Sequence, residues 1–265
     1  MKGRQIVIGQ VFGLDAAALM QDGQLQDLIL DTAAVAPLAP GAICRAKVDR
    51  LVKGQGGVFL RLPEGERGYL RDRSGLREGQ SIIVQIGGSA EPGKAVPVSS
   101  RLNFRGRHVI VTPGAPGVNV SRRIRDGALR ASLEALGAAA LDGVAEPPGI
   151  VFRSVAAQSD PEEIEQELRS LLDLALAVAA DAEGQPELLL DAPDPAEQAW
   201  RDWAEPPPDA VEDGPNAFAL TGAAEAADAA GARLLAVGLP PTMPQHFPIT
   251  DKPRYHHIAE RFGMI

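Results

Sequence analysis

Phe59 and Tyr69 each stand two residues from an arginine, Arg61 and Arg67 respectively, and this is the first constellation with chemical content. Aromatic rings stack on unpaired bases while guanidinium groups meet phosphates, which is how small all-β barrels hold single-stranded nucleic acid. Rings of this kind also serve as ordinary core, and the spacing leaves both readings open. The second constellation is Arg101, Arg105, Arg107, Arg122, Arg123, Arg125 and Arg130, with Ser121 among them. Guanidinium forks match phosphate oxygens two at a time, so the cluster reads as a phosphate site, with a solvated surface as the plain alternative. Hydrolytic chemistry finds less. Asp191 and Asp194 follow an apolar strand, but no second acidic strand comes after them, so they read as turn and helix-cap residues. His246, His256 and His257 lack a companion nucleophile or carboxylate cluster. No catalytic residue and no metal ligand is assigned. The lone Cys44 has no disulfide partner and reads as a small buried strand residue, which suits a reducing cytoplasm.

The net charge of −9 hides an asymmetry. Residues 1–131 carry 19 Lys+Arg against 11 Asp+Glu, a net +8, which leaves −17 for the remainder. A basic half joined to an acidic half points to a polyanion as the partner of the first, with the second repelling it. No apolar run reaches the roughly 18 residues of a membrane span, and the start lacks an apolar signal segment, so no membrane partner is expected. At 265 residues, two or three domains are expected.

Several elements must position these residues. Residues 5–11, 15–20 and 25–30 read as a short antiparallel meander, and an Ala/Pro-rich stretch at 33–40 as a linker. Runs at 43–51, 57–62, 68–70 and 81–86, separated by glycine-rich or charged turns, have the spacing of a small all-β barrel. Residues 108–112 and 151–154 read as further strands and 128–140 as a helix. Ser159 with Glu162 forms a capping box for a helix whose apolar positions are Ile164, Leu168, Leu171, Leu172 and Ala175. A strand at 187–190 leads to a helix starting near Asp194-Pro195, with Trp200 and Trp203 read as core anchors. An Ala-rich helix at 222–231 and a strand at 234–237 precede a tail without clear periodicity.

Residues 76–86, Gly93-Lys94, residues 106–112 and Ser121-Arg122-Arg123-Ile124 succeed one another in the order and spacing of the ribonuclease E/ribonuclease G family, which the chain resembles over roughly residues 2–215. Residues 149–154 are similar to the strand where that family carries an Arg-Thr pair, with Arg153 and Ser154 here, and residues 199–203 resemble its next helix. The resemblance implies a multidomain α+β and α/β protein: an RNase H-like α/β domain interrupted by an all-β OB-fold barrel of the ribosomal-protein S-one type. Its implied layout is 1–38 and 100–235 for the two RNase H-like parts, 39–99 for the barrel, and 236–265 for an unassigned tail. By position, Phe59, Tyr69 and Lys94 match the barrel's RNA contacts, with Arg61 and Arg67 beside them. Gly106, Ile110, Arg153 and Ser154 match a pocket for an RNA 5′ monophosphate, with Arg122 and Arg123 near it.

The implied function is recognition of single-stranded RNA, including its 5′ monophosphate end, in RNA processing or decay. The family's hydrolytic centre, a DNase I-like domain with two Mg²⁺-holding aspartates, is not visible, so no cofactor is expected unless the site is completed. The alternative is a Mg²⁺-dependent endoribonuclease whose site a partner chain or the tail completes. A homo-oligomer or a nuclease chain is the protein partner this leaves open. For Arg153 the bland alternative is pairing with a carboxylate such as Glu162.

Overall fold

The computed structural model of the chain describes residues 3–31, 38–51, 56–71, 75–88, 90 and 93–228. The strand expected at 234–237, most of the 33–40 linker and the histidine-bearing tail lie outside these residues. In chain order the strands are β1 (Arg4–Val11), β2 (Leu14–Gln21), β3 (Gln24–Leu30), β4 (Ile43–Leu51), β5 (Val58–Arg61), β6 (Arg67–Leu70) and β7 (Ser81–Ile86). Then come β8 (Val96–Ser99), β9 (Phe104–Arg105), β10 (Val109–Thr112), β11 (Gly117–Val120), β12 (Gly149–Phe152), β13 (Glu187–Leu190) and β14 (Ala210–Asp213). The helices are α1 (Gly127–Ala140), α2 (Pro161–Ala180), α3 (Pro195–Trp203) and α4 (Ala217–Thr221). The fold is mixed α/β, and no helix of the described residues is long and apolar enough to cross a membrane.

Two compact units divide the chain. One comprises residues 1–42, 86–97 and 191–265, the other 43–85 and 98–190. In the first, β1, β2 and β3 form an antiparallel meander, and β14 joins the free edge of β1 in parallel. Successive strand residues face opposite sides of a sheet, so the uninterrupted buried run Ala16–Met20 requires cover on both faces. One face, with Val7, Ala18, Met20 and Leu28, packs on Phe218 and on Ala223 and Ala227 of the helical turns that follow. The other, with Ile6, Ala17, Leu19 and Ile29, packs on Ala199 and Trp203.

Trp200 departs from its expected role. The buried stripe of α3 runs Pro195, Ala199, Trp203 at four-residue intervals, and Trp200 stands 100° of helix rotation past Ala199, 39% exposed against 4% for Trp203. Asp194 caps this helix as expected, its Oδ1 accepting from the Glu197 amide at 2.8 Å.

The second unit holds a second sheet and all of a barrel except Ile86 and the Val96-Pro97 start of β8. The barrel strands run β4-β5-β6-β8-β7, and β7 pairs back on β4, closing five strands in the order expected of an OB-type barrel. A bulge between Val48 and Arg50 lets the nine-residue β4 serve β7 with its first half and β5 with its second. Cys44, Ala46, Val48, Val58, Leu60 and Val84 fill the interior, so Cys44 is the buried strand residue its composition suggested. The closing strand β8 is not among the runs read from the sequence. β13 adds to β4, where the buried Arg45 reaches Glu187 at 2.7 Å and Asp181, past the end of α2, at 3.2 Å.

The second sheet has the order β11-β12-β10-β9, with β12 parallel to β11 and antiparallel to β10. α1 makes the crossover between the parallel pair. α2 lays Ile164, Leu168, Leu172, Ala175 and Val178 on the same core as Val109, Val111, Ile150 and Phe152. Its cap differs from the expected box. Pro161 stands at the first helical position, which makes Asp160 the capping residue, its carboxylate accepting from the Glu162 amide at 2.8 Å. Ser159 instead donates its hydroxyl to Val155 O at 3.0 Å.

Truncating Trp203 removes a ring locked between helix and sheet and costs about 3–5 kcal/mol, whereas Trp200→Ala at the half-exposed position costs less than about 1 kcal/mol. Denaturant unfolding of the two variants against wild type measures the difference; equal losses would contradict the packing described.

Candidate nucleic-acid interface

On the barrel, strand period and register bring the expected residues to one outward face. Phe59 stands opposite Tyr69, and Arg61 opposite Arg67, with Val58, Leu60 and Leu70 turned into the core between them. The Phe59 and Tyr69 rings are 5.4 Å apart, tilted by 55°. A residue the sequence did not single out joins them: Arg50 stands opposite Phe59 on β4, its guanidinium 4.8 Å from the ring centroid, and that of Arg67 is 5.3 Å away. Both distances are those of cation–π contacts. Two like charges directly opposite, as at Arg61 and Arg67, disfavour the strand pair. The exposed Asp49 carboxylate 3.9 Å from Arg61 offsets this little. A polyanion laid along the strip relieves that repulsion.

The Tyr69 ring has a specific seat. A Cβ at Gly57 would lie 2.2 Å from its hydroxyl oxygen and 2.6 Å from its ring edge, so only glycine allows the ring to lie there. Lys94, grouped with these residues by resemblance, is exposed in the 86–97 segment of the other unit.

The second site is an end of the β11-β12-β10 sheet. Val109, Phe152 and Val120 stand in one row across three strands. Immediately past that row lie Gly106 to His108 before β10, Ser121 to Arg123 after β11, and Arg153-Ser154 after β12. The residues named from the sequence therefore converge. Arg153 donates through Nη1 to Gly106 O at 2.8 Å and Arg107 O at 3.0 Å, and through its amide to His108 O at 2.8 Å. The Ser121 amide donates to Phe152 O at 2.8 Å, which ties the exposed Arg122-Arg123 turn beside Arg153. Ile110 is inside the sheet, opposite Val151 and Arg105. Ser154 is not in the strand, which ends at Phe152; it opens the 3-10 turn Ser154–Gln158.

Two parts of the arginine cluster behave differently from one another. Arg122, Arg123 and Arg125 are exposed, as are Arg101, Arg105 and Arg107. Arg130 instead folds back from α1, its Nη1 donating to Ser121 O at 2.9 Å and Ile124 O at 3.1 Å. Its guanidinium holds the turn that carries Arg122 and Arg123 and is not presented to solvent as they are.

Glu167 of α2, unnoticed in the sequence, sits against the Gly106 loop. Its Oε1 accepts from the His108 and Val109 amides at 2.7 and 2.9 Å, and Oε2 from the Arg107 amide at 3.1 Å. Oε2 is also 3.1 Å from Nδ1 of the buried His108. A Cβ at Gly106 would lie 2.3 Å from Oε1, so the carboxylate requires glycine at that position. The loop's three amides are thus occupied by an internal anion and are not donors for an external one.

Elsewhere, a groove of about 380 Å³ in the other unit is bordered by Gly9, Gln10, Asp15, Asp194 and Asp213. Asp15 accepts from the Gln10 amide group and Asp194 serves as a helix cap. Among the described residues no group of three His, Cys, Asp or Glu side chains is disposed to hold a metal ion.

Residues 103–213 match the model of the ribonuclease E/G family. Over 55% of the chain, the sequence is 28% identical to ribonuclease E of Haemophilus influenzae, of which the match covers 17%. A separate likeness is short and strong. A stretch of 42 residues is 71% identical to a protein named glutamate–cysteine ligase 2-2 of Mycobacterium sp. strain KMS, and one of 44 residues is 61% identical to ligase 2-1 of Nocardia farcinica. These stretches are 16% and 17% of the chain, and each spans 12% of the relative's length.

Replacing Gly57 by Ala should displace the Tyr69 ring while the strands persist. The chain has only two tyrosines, Tyr69 and Tyr255, so the ring signals are assignable by NMR. The Phe59–Tyr69 ring-to-ring NOE is expected to vanish in the variant; its survival would contradict the seat described.

Proposed function

With the chain a member of the ribonuclease E/G family by residues 103–213, we propose that it is an RNA-binding protein that holds single-stranded RNA on its barrel and reads the RNA's 5′ monophosphate end, in RNA processing or decay. The observation that carries this reading is the convergence of Gly106, Arg153, Ser154 and the Arg122-Arg123 turn past the Val109–Phe152–Val120 row. A terminal monophosphate brings more charge and more unesterified oxygens than an internal phosphodiester. A forked guanidinium, a hydroxyl and two exposed arginines discriminate by that difference. Ser154 offers the hydroxyl where threonine is usual in the family.

The barrel supplies affinity that does not depend on the end. Bases stack on Phe59 and Tyr69, and Arg50, Arg61 and Arg67 meet the phosphates, each stacked base contributing on the order of 1–3 kcal/mol. Lys94 is carried over as an RNA contact by the family resemblance alone. The meander with its parallel fourth strand supports the RNase H-like assignment of residues 1–38 together with the end of 100–235, and the acidic chain beyond Ser154 keeps RNA away from itself. A lone buried Cys44 suits action in a reducing cytoplasm. The ligase likeness spans an eighth of those proteins and carries no activity here.

Phe59→Ala with Tyr69→Ala is expected to weaken single-stranded RNA binding by about tenfold or more, with log affinity falling linearly in log salt concentration. Unchanged affinity in a cooperatively melting variant would remove the barrel from the account. Charged hydrogen bonds contribute about 1.5–3 kcal/mol each, so Arg153→Ala should erase most of the preference for 5′-phosphorylated over 5′-hydroxyl RNA and leave binding of the hydroxyl form nearly constant. Equal affinity of wild type for the two ends would overturn the end-reading proposal. RNA cleavage that needs Mg²⁺ and stops with EDTA would favour instead a nuclease completed by the tail or a partner chain.

A further inference from the structure

We propose that Glu167 is the positioning residue of the phosphate site, fixing the Arg153 guanidinium through three backbone peptides without touching the ligand; the proposal rests on the terminal-phosphate reading. A trans peptide is planar, and its N–H and C=O point in opposite directions. The amides of Arg107, His108 and Val109 all donate to the one Glu167 carboxylate, at 3.1, 2.7 and 2.9 Å. The carbonyls of the same three peptides, those of Gly106, Arg107 and His108, must therefore face the other way. Those three are the acceptors for Arg153: Gly106 O and Arg107 O take its Nη1 at 2.8 and 3.0 Å, and His108 O takes its amide at 2.8 Å.

The loop is thus a relay with a carboxylate behind it and a guanidinium in front. Glu167 is fixed in turn, since the next residue, Leu168, is fully buried in the sheet core. Gly106 is the only residue type that admits the carboxylate this close, with 2.3 Å left for a Cβ. With both oxygens anchored, Nη1 of Arg153 is spent on the relay, and the direction of the guanidinium plane is set before any phosphate arrives.

Electrostatics and positioning predict opposite signs for the loss of Glu167. By Coulomb interaction alone, removing a carboxylate near a phosphate site strengthens phosphate binding. If Glu167 positions Arg153, its removal weakens that binding. The experiment measures affinities of one single-stranded RNA with a 5′ monophosphate and with a 5′ hydroxyl, for wild type, Glu167→Ala, Glu167→Gln and Glu163→Ala. Glu163, exposed one helical turn earlier on α2, removes the same charge without touching the loop. The guanidinium NMR signals of Arg153 are recorded in parallel on RNA-free protein.

In Glu167→Ala, the 5′-phosphate preference is expected to fall about tenfold or more, the loss of one charge-assisted contact, with hydroxyl-RNA affinity and cooperative melting retained. Glu163→Ala is expected to hold or slightly raise the preference. Glu167→Gln, which keeps one acceptor oxygen for the loop, is expected to fall between wild type and Ala, and it stands in for Ala should that variant not fold. Restricted rotation of the Arg153 guanidinium is expected in wild type and should be lost in Glu167→Ala. A preference that is unchanged or raised in a folded Glu167 variant, or an Arg153 signal that does not change, would overturn the proposal. Wild type without any end preference, but with the Arg153 signal changing in Glu167→Ala, would sink the phosphate reading alone and leave the positioning role standing.

Discussion

The register of β12 against both its neighbours is the constraint on which the candidate site depends. Phe152 is fully buried, and it faces Val109 on one side and Val120 on the other. A slip of one residue would turn Phe152 to the opposite face and bring Val151 and the following Arg153 to the core side, so the apolar core fixes the pairing. Once it is fixed, three chain segments that are far apart in sequence leave the sheet at the same level. Two of them leave the carboxyl ends of parallel strands, the edge at which open α/β sheets commonly bind ligands. Charge is gathered there because no apolar side chain is needed beyond the last buried row.

The elements with strong periodicity were legible and the short ones were not. The long helix α2 repeats five buried apolar positions at helical spacing, and the meander and the runs at 43–51 and 81–86 are apolar-rich segments of strand length bounded by turn residues, so each stands out in the sequence. β8 contains Pro97, which argues against a strand by its missing donor; the chain tolerates it there with its side chain exposed and its carbonyl accepting from the Gly87 amide. β9 has two residues and β11 begins on Gly117 after a Pro/Gly turn, so neither offers enough residues for a period to be seen. The helix cap moved from Ser159 to Asp160 because Pro161 fixes the first turn, a signal that was present but outweighed by the capping-box pattern.

Sites were legible as residue types and illegible as partnerships. The flanking arginines and the ring pair announced the barrel strip, because cross-strand neighbours in a tight antiparallel pair lie close in sequence. Arg50, which completes the strip, is on the preceding strand and gave no local sign. Seven arginines between residues 101 and 130 looked equivalent, yet Arg130 serves three carbonyls of its own turn while Arg122 and Arg123 remain exposed on it. Glu167 is some sixty residues from the loop it holds. In the sequence it is one acidic residue among several on an amphipathic helix, and only the fold shows that its carboxylate takes three amides.

The central claim is that one compact unit, residues 43–85 and 98–190, offers RNA both a stacking strip and a seat for the terminal phosphate. Photocrosslinking a single-stranded RNA that carries a 5′ monophosphate and a photoreactive base at either its first or a mid-strand nucleotide tests this most directly. The account predicts that the first nucleotide crosslinks to peptides containing residues 105–110, 121–123 or 153–154, and that the mid-strand base crosslinks to residues 57–70. Crosslinks from both positions to the other unit, at the groove around Asp15 and Asp213, would contradict it.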